Sequence, residues 1–581
     1  MLVLSTGESD NGTTSGNPPA EPATVDIPVA GPEPARNWRR HLPRLWPLLV
    51  LVLLGQMALG MVTAAREQSP TADEPVYVGA AVDYLQHRDL RLNPEHPPLA
   101  KLVSATGLAF ADVQLPHDTR SGQWQVGDRA LYGPGNDADR VLWLARLPMV
   151  VLTLLFGLVV FAFARDLFGT GGGLVALALY SFSPDVIAHG SLATNDVPLA
   201  GFLLTTMWLL WRARRHPLRY LPLAGLAYGC ALATKMTALP LLPVVLLLAA
   251  LAAWSSRNPG VAGRSGRWAW LDRRTLLRGV GYALGVGLIA TVTVWLSYLV
   301  VDPALRYTPV ADFEPGLKKL LVSLLPLPEP YRDGMLIQFG FESQTYGGYL
   351  FGERFLGNRW YYLPAALLVK TPLGMIALWL GAVATLLAVR RLRPVALYLL
   401  LPLGLLLTVA LTGSRSLGSR YAIWLPVFLA VGAAALLVYR RRWVLPVVLA
   451  LVAFVGVSSL RAFPYYLPYG NEAFGGPANT YRHLNDSNVD WGQDLARLGD
   501  YLAEHGLSDE RVFLIWKGRG HPDYYGINAA DPAKVPRDQV RGLFAVSAMR
   551  IDGARQSYPD LIQGREPIAV IGHTFWLYRI P

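Results

Sequence analysis

The 581-residue sequence predicts a polytopic α-helical membrane protein that ends in a small α/β domain. Three observations carry that prediction. Charged residues make up 16% of the chain and hydrophobic ones 52%, whereas soluble domains run nearer about 25% charged. Mean hydropathy is +0.31, and many apolar runs approach or exceed the roughly 18 residues that span a bilayer core. The basic residues behind the net charge of +11 fall in short clusters between those runs. Orientation signals are distributed in that way, and nucleic-acid surfaces are not.

Residues 1–40 are rich in Gly, Ser, Thr and Pro ("STGESDNGTTSGNPPAEPATV") and cannot bury a core, so they are expected to form a disordered cytoplasmic tail. The first apolar run, Leu42 to Ala65, lies beside Arg39, Arg40 and Arg44. It exceeds the roughly 7–15 residues of a signal-peptide core, so despite "VTA" at 62–64 it reads as an uncleaved anchor. Eleven spans are expected: 45–65, 143–163, 173–190, 196–211, 220–237, 238–254, 278–300, 362–388, 395–412, 420–438 and 443–460. With a cytoplasmic N-terminus, Arg165, the arginines of 212–219, those of 257–278, Arg390 to Arg393 and Arg440 to Arg442 all fall inside. The opposite orientation puts them all outside. The membrane domain is thus 41–462, with outer loops 66–142 and 301–361 and an extracytoplasmic domain 463–581. The single cysteine, Cys230, allows no intrachain disulfide.

Within the outer segments, "EPVYVGAAVDYLQ" has helical apolar periodicity. "GLKKLLVSLLPL" reads as a short amphipathic helix lying in the interface. The tail carries a helix near 491–504, strands in "RVFLIW" and "GLFAVSA", and a terminal pair in "IAVIGHTFWLYRI". That is enough for a small α/β domain.

The chemistry-bearing residues gather at the outer ends of the spans. Asp73-Glu74 follows the first span by about eight residues. Asp73 before Pro75 also reads as a helix N-cap, which would itself fix a carboxylate. Glu95-His96-Pro97-Pro98 adds a second acid and an imidazole on a backbone stiffened by proline. Together these groups can supply a general base, or ligands for a divalent cation. His189, Asn195 and Asp196 lie in "SPDVIAHGSLATND", where one span leaves the membrane and the next enters, and Asp196 can also cap the latter. Lys235 and Lys370 sit in apolar sequence, where an ionisable group is costly and either functional or a snorkelling anchor. Arg415 and Arg420-Tyr421 fall outside, against the positive-inside trend. Cations clustered at one membrane face suit an anionic, lipid-linked phosphate.

Three look-alikes fail. "DAD" at 137–139 imitates a nucleotide-sugar metal pair but lies on the wrong side. "GGG" at 171–173 lacks the lysine and hydroxyl of a phosphate loop. "DSNVDWGQD" at 486–494 has Trp491 where a calcium loop needs glycine and Arg497 where it needs glutamate. There, Asp490 with Gln493 reads as a capping box.

Taken in order, "DE" at 73–74, "EHPPLAK", "ARLP" at 145–148, "ATND", "ATKMTAL", "YYLPAALLVKTP", "GSRYAIWLP", "YGNEAFGG" and "DSNVDWGQDL" resemble the GT-C glycosyltransferases of family 39, of the protein O-mannosyltransferase and aminoarabinose-transferase kind. The resemblance covers most of residues 45–500 and implies the GT-C fold, with about eleven transmembrane helices. It implies sugar transfer, inverting in stereochemistry, from a polyprenyl-phosphate donor to a protein, glycan or lipid hydroxyl at the outer face of the cytoplasmic membrane. By this resemblance Asp73 is the catalytic acid-base residue and Glu74 a second catalytic carboxylate, Glu95 lies near a metal or the acceptor, and Asp73 with Glu95 are candidate ligands for a divalent metal ion. Lys235, Lys370 and Arg420, with His96, Asn195, Asp196 and Tyr421, would bind the donor. No nucleotide, organic cofactor or nucleic acid is implied. His96 stands where relatives often carry lysine, and the tail does not match eukaryotic members, so the acceptor is not inherited. A secondary transporter or a non-catalytic lipid-binding scaffold is the alternative. The first predicts midplane charges and related halves, and the second a dispensable Asp73.

Overall fold

The computed structural model describes residues 42–255, 273–311 and 313–581. The expected tail of 1–40 and the part of the arginine cluster of 257–278 that precedes Arg273 lie outside the described residues. Two compact units divide the chain at Trp46 and Pro47; the described part of the first is the opening turn of a helix. Everything below concerns residues 47–581 unless stated.

The first apolar run forms α1 (Leu42–Glu67). The outer segment after it folds into α2 (Glu74–Gln86), α3 (Leu99–Leu108) and α4 (Gln123–Tyr132). Val78, Ala81, Leu92, Ala105, Leu108, Val126 and Ala130 close a small core between them. The α2–α4 crossing needs two glycines, since a Cβ on Gly79 would meet the Gly127 Cα at 2.6 Å.

The next helix, α5 (Ala138–Ser181), runs for 44 residues and kinks at Gly169, whose φ of 77° and ψ of −179° lie in a glycine-only region. The break between two expected spans thus falls at Gly169, ahead of the "GGG" at 171–173. A short α6 (Pro184–Gly190) leads to α7 (Asp196–Ala213) and α8 (Pro217–Thr234). Lys235 is extended (φ −155°, ψ 135°), separating α8 from a 3₁₀ turn, Met236–Leu241, that runs into α9 (Leu242–Ser255). On α10 (Arg273–Val301), Leu284, Leu288, Val292, Leu296 and Val300 recur every fourth residue and are all exposed, a stripe that a bilayer would cover.

The second outer segment holds α11 (Leu317–Ser323), which is the expected amphipathic helix, then α12 (Glu329–Glu342) and an antiparallel hairpin of β1 (Gly347–Leu350) and β2 (Glu353–Leu356). The run expected as one span over 362–388 is two helices, α13 (Tyr362–Lys370) and α14 (Leu373–Ala388). Thr371 is extended between them because the following Pro372 disfavours the helical region. Then come α15 (Arg393–Thr412), a 3₁₀ turn Ser419–Ala422, α16 (Trp424–Ala433) and α17 (Val444–Arg461). Among the described residues six helices are long and apolar enough to cross a membrane: Leu45–Glu67, Ala138–Ser181, Met236–Ser255, Arg273–Val301, Arg390–Thr412 and Val444–Arg461. The eleven expected spans are therefore not matched one for one.

The tail has α18 (Leu495–Glu504), β3 (Val512–Ile515), β4 (Ala529–Ala530), β5 (Gly542–Ser547), α19 (Ile551–Ser557), α20 (Pro559–Ile562), β6 (Ala569–Ile571) and β7 (Phe575–Ile580). The strands form one mixed sheet in the order β4-β3-β5-β7-β6. Side chains alternate across it. Val512, Leu514, Leu543, Ala545 and Leu577 pack with Leu495, Leu498 and Leu502 of α18. Phe513, Phe544, Val546, Trp576 and Tyr578 face the other way, onto Leu350 and Phe355 of the hairpin and Tyr362 and Val369 of α13. The sheet thus shares a core with residues far upstream, and packing does not stop at residue 463.

The helix of the tail starts at Leu495 rather than near 491. The expected capping box between Asp490 and Gln493 is absent. Asp490 instead accepts N–H bonds from Gly492 (3.1 Å) and Met549 (2.9 Å), and Gln493 Oε1 accepts from Trp491 N–H (2.7 Å).

Candidate active site

Glu74 and Arg146 form a sealed clamp at the start of the outer loop. Both side chains are fully buried, and the guanidinium meets the carboxylate through two bonds, at 2.8 and 2.6 Å. Its remaining N–H groups donate to the carbonyls of Ala65, Gln68 and Ser69. Glu74 accepts three further bonds, from Thr71 N–H, Thr71 Oγ1 and Ala193 N–H. Burial alone would raise this carboxyl, but Arg146 and the other donors outweigh it and hold the group below the ordinary carboxylate range. Expected as a catalytic acid, Glu74 has no oxygen left for a substrate and does not line the cavity described below. Its place is structural.

Asp73 is differently placed. It occupies the N-cap position of α2 but makes no side-chain capping bond, so the capping reading is corrected. Its side chain is 30% exposed, and Oδ2 accepts from Arg420 Nη1 at 2.9 Å. Arg420 also lies 3.7 Å from Asp196 Oδ2 and is stacked 4.2 Å above the Trp491 ring. Asp196 Oδ1 holds Lys235 Nζ at 2.5 Å, and that ammonium lies over the Tyr421 ring. Acid and base thus alternate along one chain: Asp73, Arg420, Asp196, Lys235. The loop carrying Asp73 is fixed from behind, where Ala72 N–H donates to Trp491 O (2.9 Å) and Ser69 Oγ to Gly492 O (3.0 Å).

These groups open onto a cavity of about 860 Å³. Asp73, Glu95, Lys235, Glu342, Arg359, Arg415 and Arg420 form its charged part, with His96, Tyr77 and Tyr421 beside them. Leu406, Val409 and Leu411 of α15, with Met335 and Phe339 of α12, make an apolar side. Glu95 Oε1 accepts from Gln123 Nε2 (3.1 Å). Gln338 links Glu95 to Arg415, donating to Glu95 O (3.0 Å) and accepting from Arg415 Nη2 (2.7 Å). His96 is buried, and its Nδ1 has no protein partner. Burial, then the Lys235 and Lys101 charges, hold its imidazole well below the usual histidine range, so it is neutral near pH 7. The "EHPP" loop is pinned by Lys101, whose Nζ donates to Asn93 O (2.9 Å) and His96 O (2.7 Å). Burial pushes that lysine down to about 7.

Of the sequence candidates, Asp73, Glu95, His96, Lys235, Arg420 and Tyr421 meet at this cavity. Asp196 stands behind it and acts through Lys235 and Arg420, while Asn195 is buried with neither side-chain polar atom bonded. Lys370 is elsewhere. It is fully buried, donates to Leu467 O (2.7 Å) and Asn488 O (2.8 Å), and pairs with Asp185 at 3.5 Å. Its expected donor contact is replaced by a structural one. For the metal expectation, the donor set is limited to the free oxygens of Asp73 and Glu95. Asp73 Oδ2 and Glu95 Oε1 already have partners, and among the described residues no three His, Cys, Asp or Glu side chains converge. Asp137 of "DAD" simply caps α5, accepting from Arg140 N–H.

Sequence reasoning assigned no role to Arg146, Lys101, Gln338 or Trp491. The first two sit within quoted motifs, "ARLP" and "EHPPLAK", and a lone cation in such a stretch was the available signal.

Residues 138–264 match the family model described as dolichyl-phosphate-mannose-protein mannosyltransferase, in keeping with the resemblance read from the motifs. No curated protein matches the chain. Among solved structures, ArnT from Cupriavidus metallidurans in the apo state is similar at 14% identity, covering 93% of this chain and 98% of that one, with a TM-score of 0.43. The same protein bound to undecaprenyl phosphate is similar at 14% identity over 91% and 97%, with a TM-score of 0.46. The S. cerevisiae protein O-mannosyltransferase Pmt1-Pmt2 complex bound to the sugar donor is similar at 18% identity over 45% and 36%, with a TM-score of 0.33.

Proposed function

We propose that this protein is a membrane glycosyltransferase that moves a sugar from a polyprenyl-phosphate donor to an acceptor hydroxyl at the outer face of the cytoplasmic membrane. The observation that carries this reading is the Asp73 carboxylate, partly exposed on a cavity with one cationic part and one apolar side. A lipid-linked phosphate needs both. The family-model match over 138–264 supports the same substrate class.

The donor phosphate lies against Lys235, Arg415 and Arg420, and the first isoprene units lie along α12 and α15. Asp73 removes the acceptor's hydroxyl proton as its oxygen attacks the anomeric carbon. The bond from that carbon to the phosphate oxygen breaks, and the polyprenyl phosphate leaves as an anion that the cations stabilise. A single displacement inverts the anomeric configuration. Arg420 keeps the Asp73 side chain aimed through Oδ2 and leaves Oδ1 for the proton. Neutral His96 offers an unpartnered Nδ1 to the donor rather than a charge. Eleven spans, a cytoplasmic N-terminus and an outer C-terminus complete the proposal, supported by the side on which the arginines fall.

The test is donor consumption by purified protein offered a panel of polyprenyl-phosphate sugars. Asp73→Asn is expected to lose about 10²- to 10⁴-fold in turnover, the contribution of a general base. A folded variant that turns over at the wild-type rate refutes the assignment.

A further inference from the structure

The wall of the cavity built by the outer loop, and backed there by the tail, has its own chemistry. At the start of α4, Trp124 is 39% exposed and lines the cavity. The Arg519 guanidinium of the tail stacks on its ring at 4.0 Å. The adjacent Gln123 also lines the cavity and holds Glu95 by one carboxylate oxygen. The tail loop is itself anchored on α4, with His521 Nε2 2.7 Å from Asp128 and its ring stacked on Tyr132 at 4.2 Å.

Trp124 presents part of its indole to the cavity. Here it is braced by a cation from a distant part of the chain and set beside a carboxylate and an amide. An indole offers the flat apolar platform that the C–H face of a pyranose or furanose ring needs. Carboxylate and amide side chains supply the acceptors and donors that hydroxyl groups need. The apolar side, on α12 and α15, suits the lipid of the donor, so this wall is left to the acceptor.

We propose that Trp124, Gln123 and Glu95, braced by Arg519, form a saccharide subsite that receives a sugar ring of the acceptor. The acceptor is then a glycan rather than an unmodified polypeptide. This rests on the transferase reading and specifies its acceptor.

The experiment titrates full-length protein in detergent with manno-, gluco- and arabino-oligosaccharides and with a threonine-rich peptide, by saturation-transfer NMR and calorimetry. At least one oligosaccharide is expected to bind. Trp124→Ala should weaken it about tenfold, the upper range of a single aromatic contact. Trp124→Phe should retain most of the affinity, and Arg519→Ala should weaken it less than Trp124→Ala does. The KM for the lipid donor should stay unchanged in all three. The proposal is overturned if no oligosaccharide binds, if Trp124→Ala binds as well as wild type, if only the peptide binds, or if the KM that rises is that of the donor. Because binding is read without turnover, these outcomes are separate from failure of the transferase reading, in which the wild type consumes no donor.

Discussion

A carboxylate can act on a substrate only through oxygens that the fold has left unoccupied, and Asp73 and Glu74 show this on adjacent residues. Glu74 is surrounded by donors inside a fully buried pair. Removing its charge leaves Arg146 buried and unpaired, so Glu74→Gln is expected to destabilise by about 3–5 kcal/mol, read from thermal unfolding in detergent. Asp73→Asn should unfold near the wild-type temperature while losing activity, since its side chain is 30% exposed. His96 gives a pH test. Its imidazole is held neutral in the fold well below the ordinary pKa, whereas in the unfolded chain it titrates near 6.5. Just below about pH 6.5 the unfolded state therefore binds the extra proton, and stability falls as pH drops through that window. Unfolding temperatures between about pH 7.5 and 5 should show this slope in the wild type and a shallower one in His96→Gln.

Helices and strands were legible to different depths. The tail strands were read as short apolar stretches, and β3, β5, β6 and β7 lie within those stretches. Breaks within apolar runs were not legible, because hydropathy counts apolar residues and is blind to a turn that stays apolar. Thr371–Pro372 splits one expected span in this way, whereas the break at Gly169 falls inside the expected gap between 163 and 173. At Gly169 nothing lies within 4 Å of the point where an alanine methyl group would stand, so any cost of Gly169→Ala is backbone strain alone. That substitution should cost about 1–3 kcal/mol, seen as a lower unfolding temperature without a change in donor KM. The helix start at Leu495 was missed for a related reason. Gly492 takes a φ of 88°, turning the chain so that Asp490 and Gln493 bond to nearby N–H groups instead of capping a helix.

Over the whole molecule, the candidate residues divide by partners that no local pattern reveals. Lys235 and Lys370 both interrupt apolar sequence, yet one lines the cavity and the other is used up by carbonyls about a hundred residues away. Sequence could flag both as costly, and only the fold could say which cost serves chemistry. The tail poses the same problem, since its sheet packs against β1, β2 and α13. A chain cut at residue 462 should therefore expose Leu350, Phe355 and Tyr362, and lose its monodisperse peak in detergent size-exclusion chromatography. An independent tail domain would instead leave that peak intact.

The bonds behind Asp73 also set a timetable for synthesis. The loop at 69–74 is held by Arg420, Trp491 and Gly492, and the separation between Ser69 and Gly492 is 423 residues. At about 5–20 residues per second, the ribosome needs on the order of tens of seconds to deliver those partners after the loop itself has emerged. Until then the acid has no guanidinium to aim it and its loop has no backing. A chain abandoned before residue 420 would carry Asp73 but not the arginine that aims it, so an interrupted message yields a fragment whose acid is unheld.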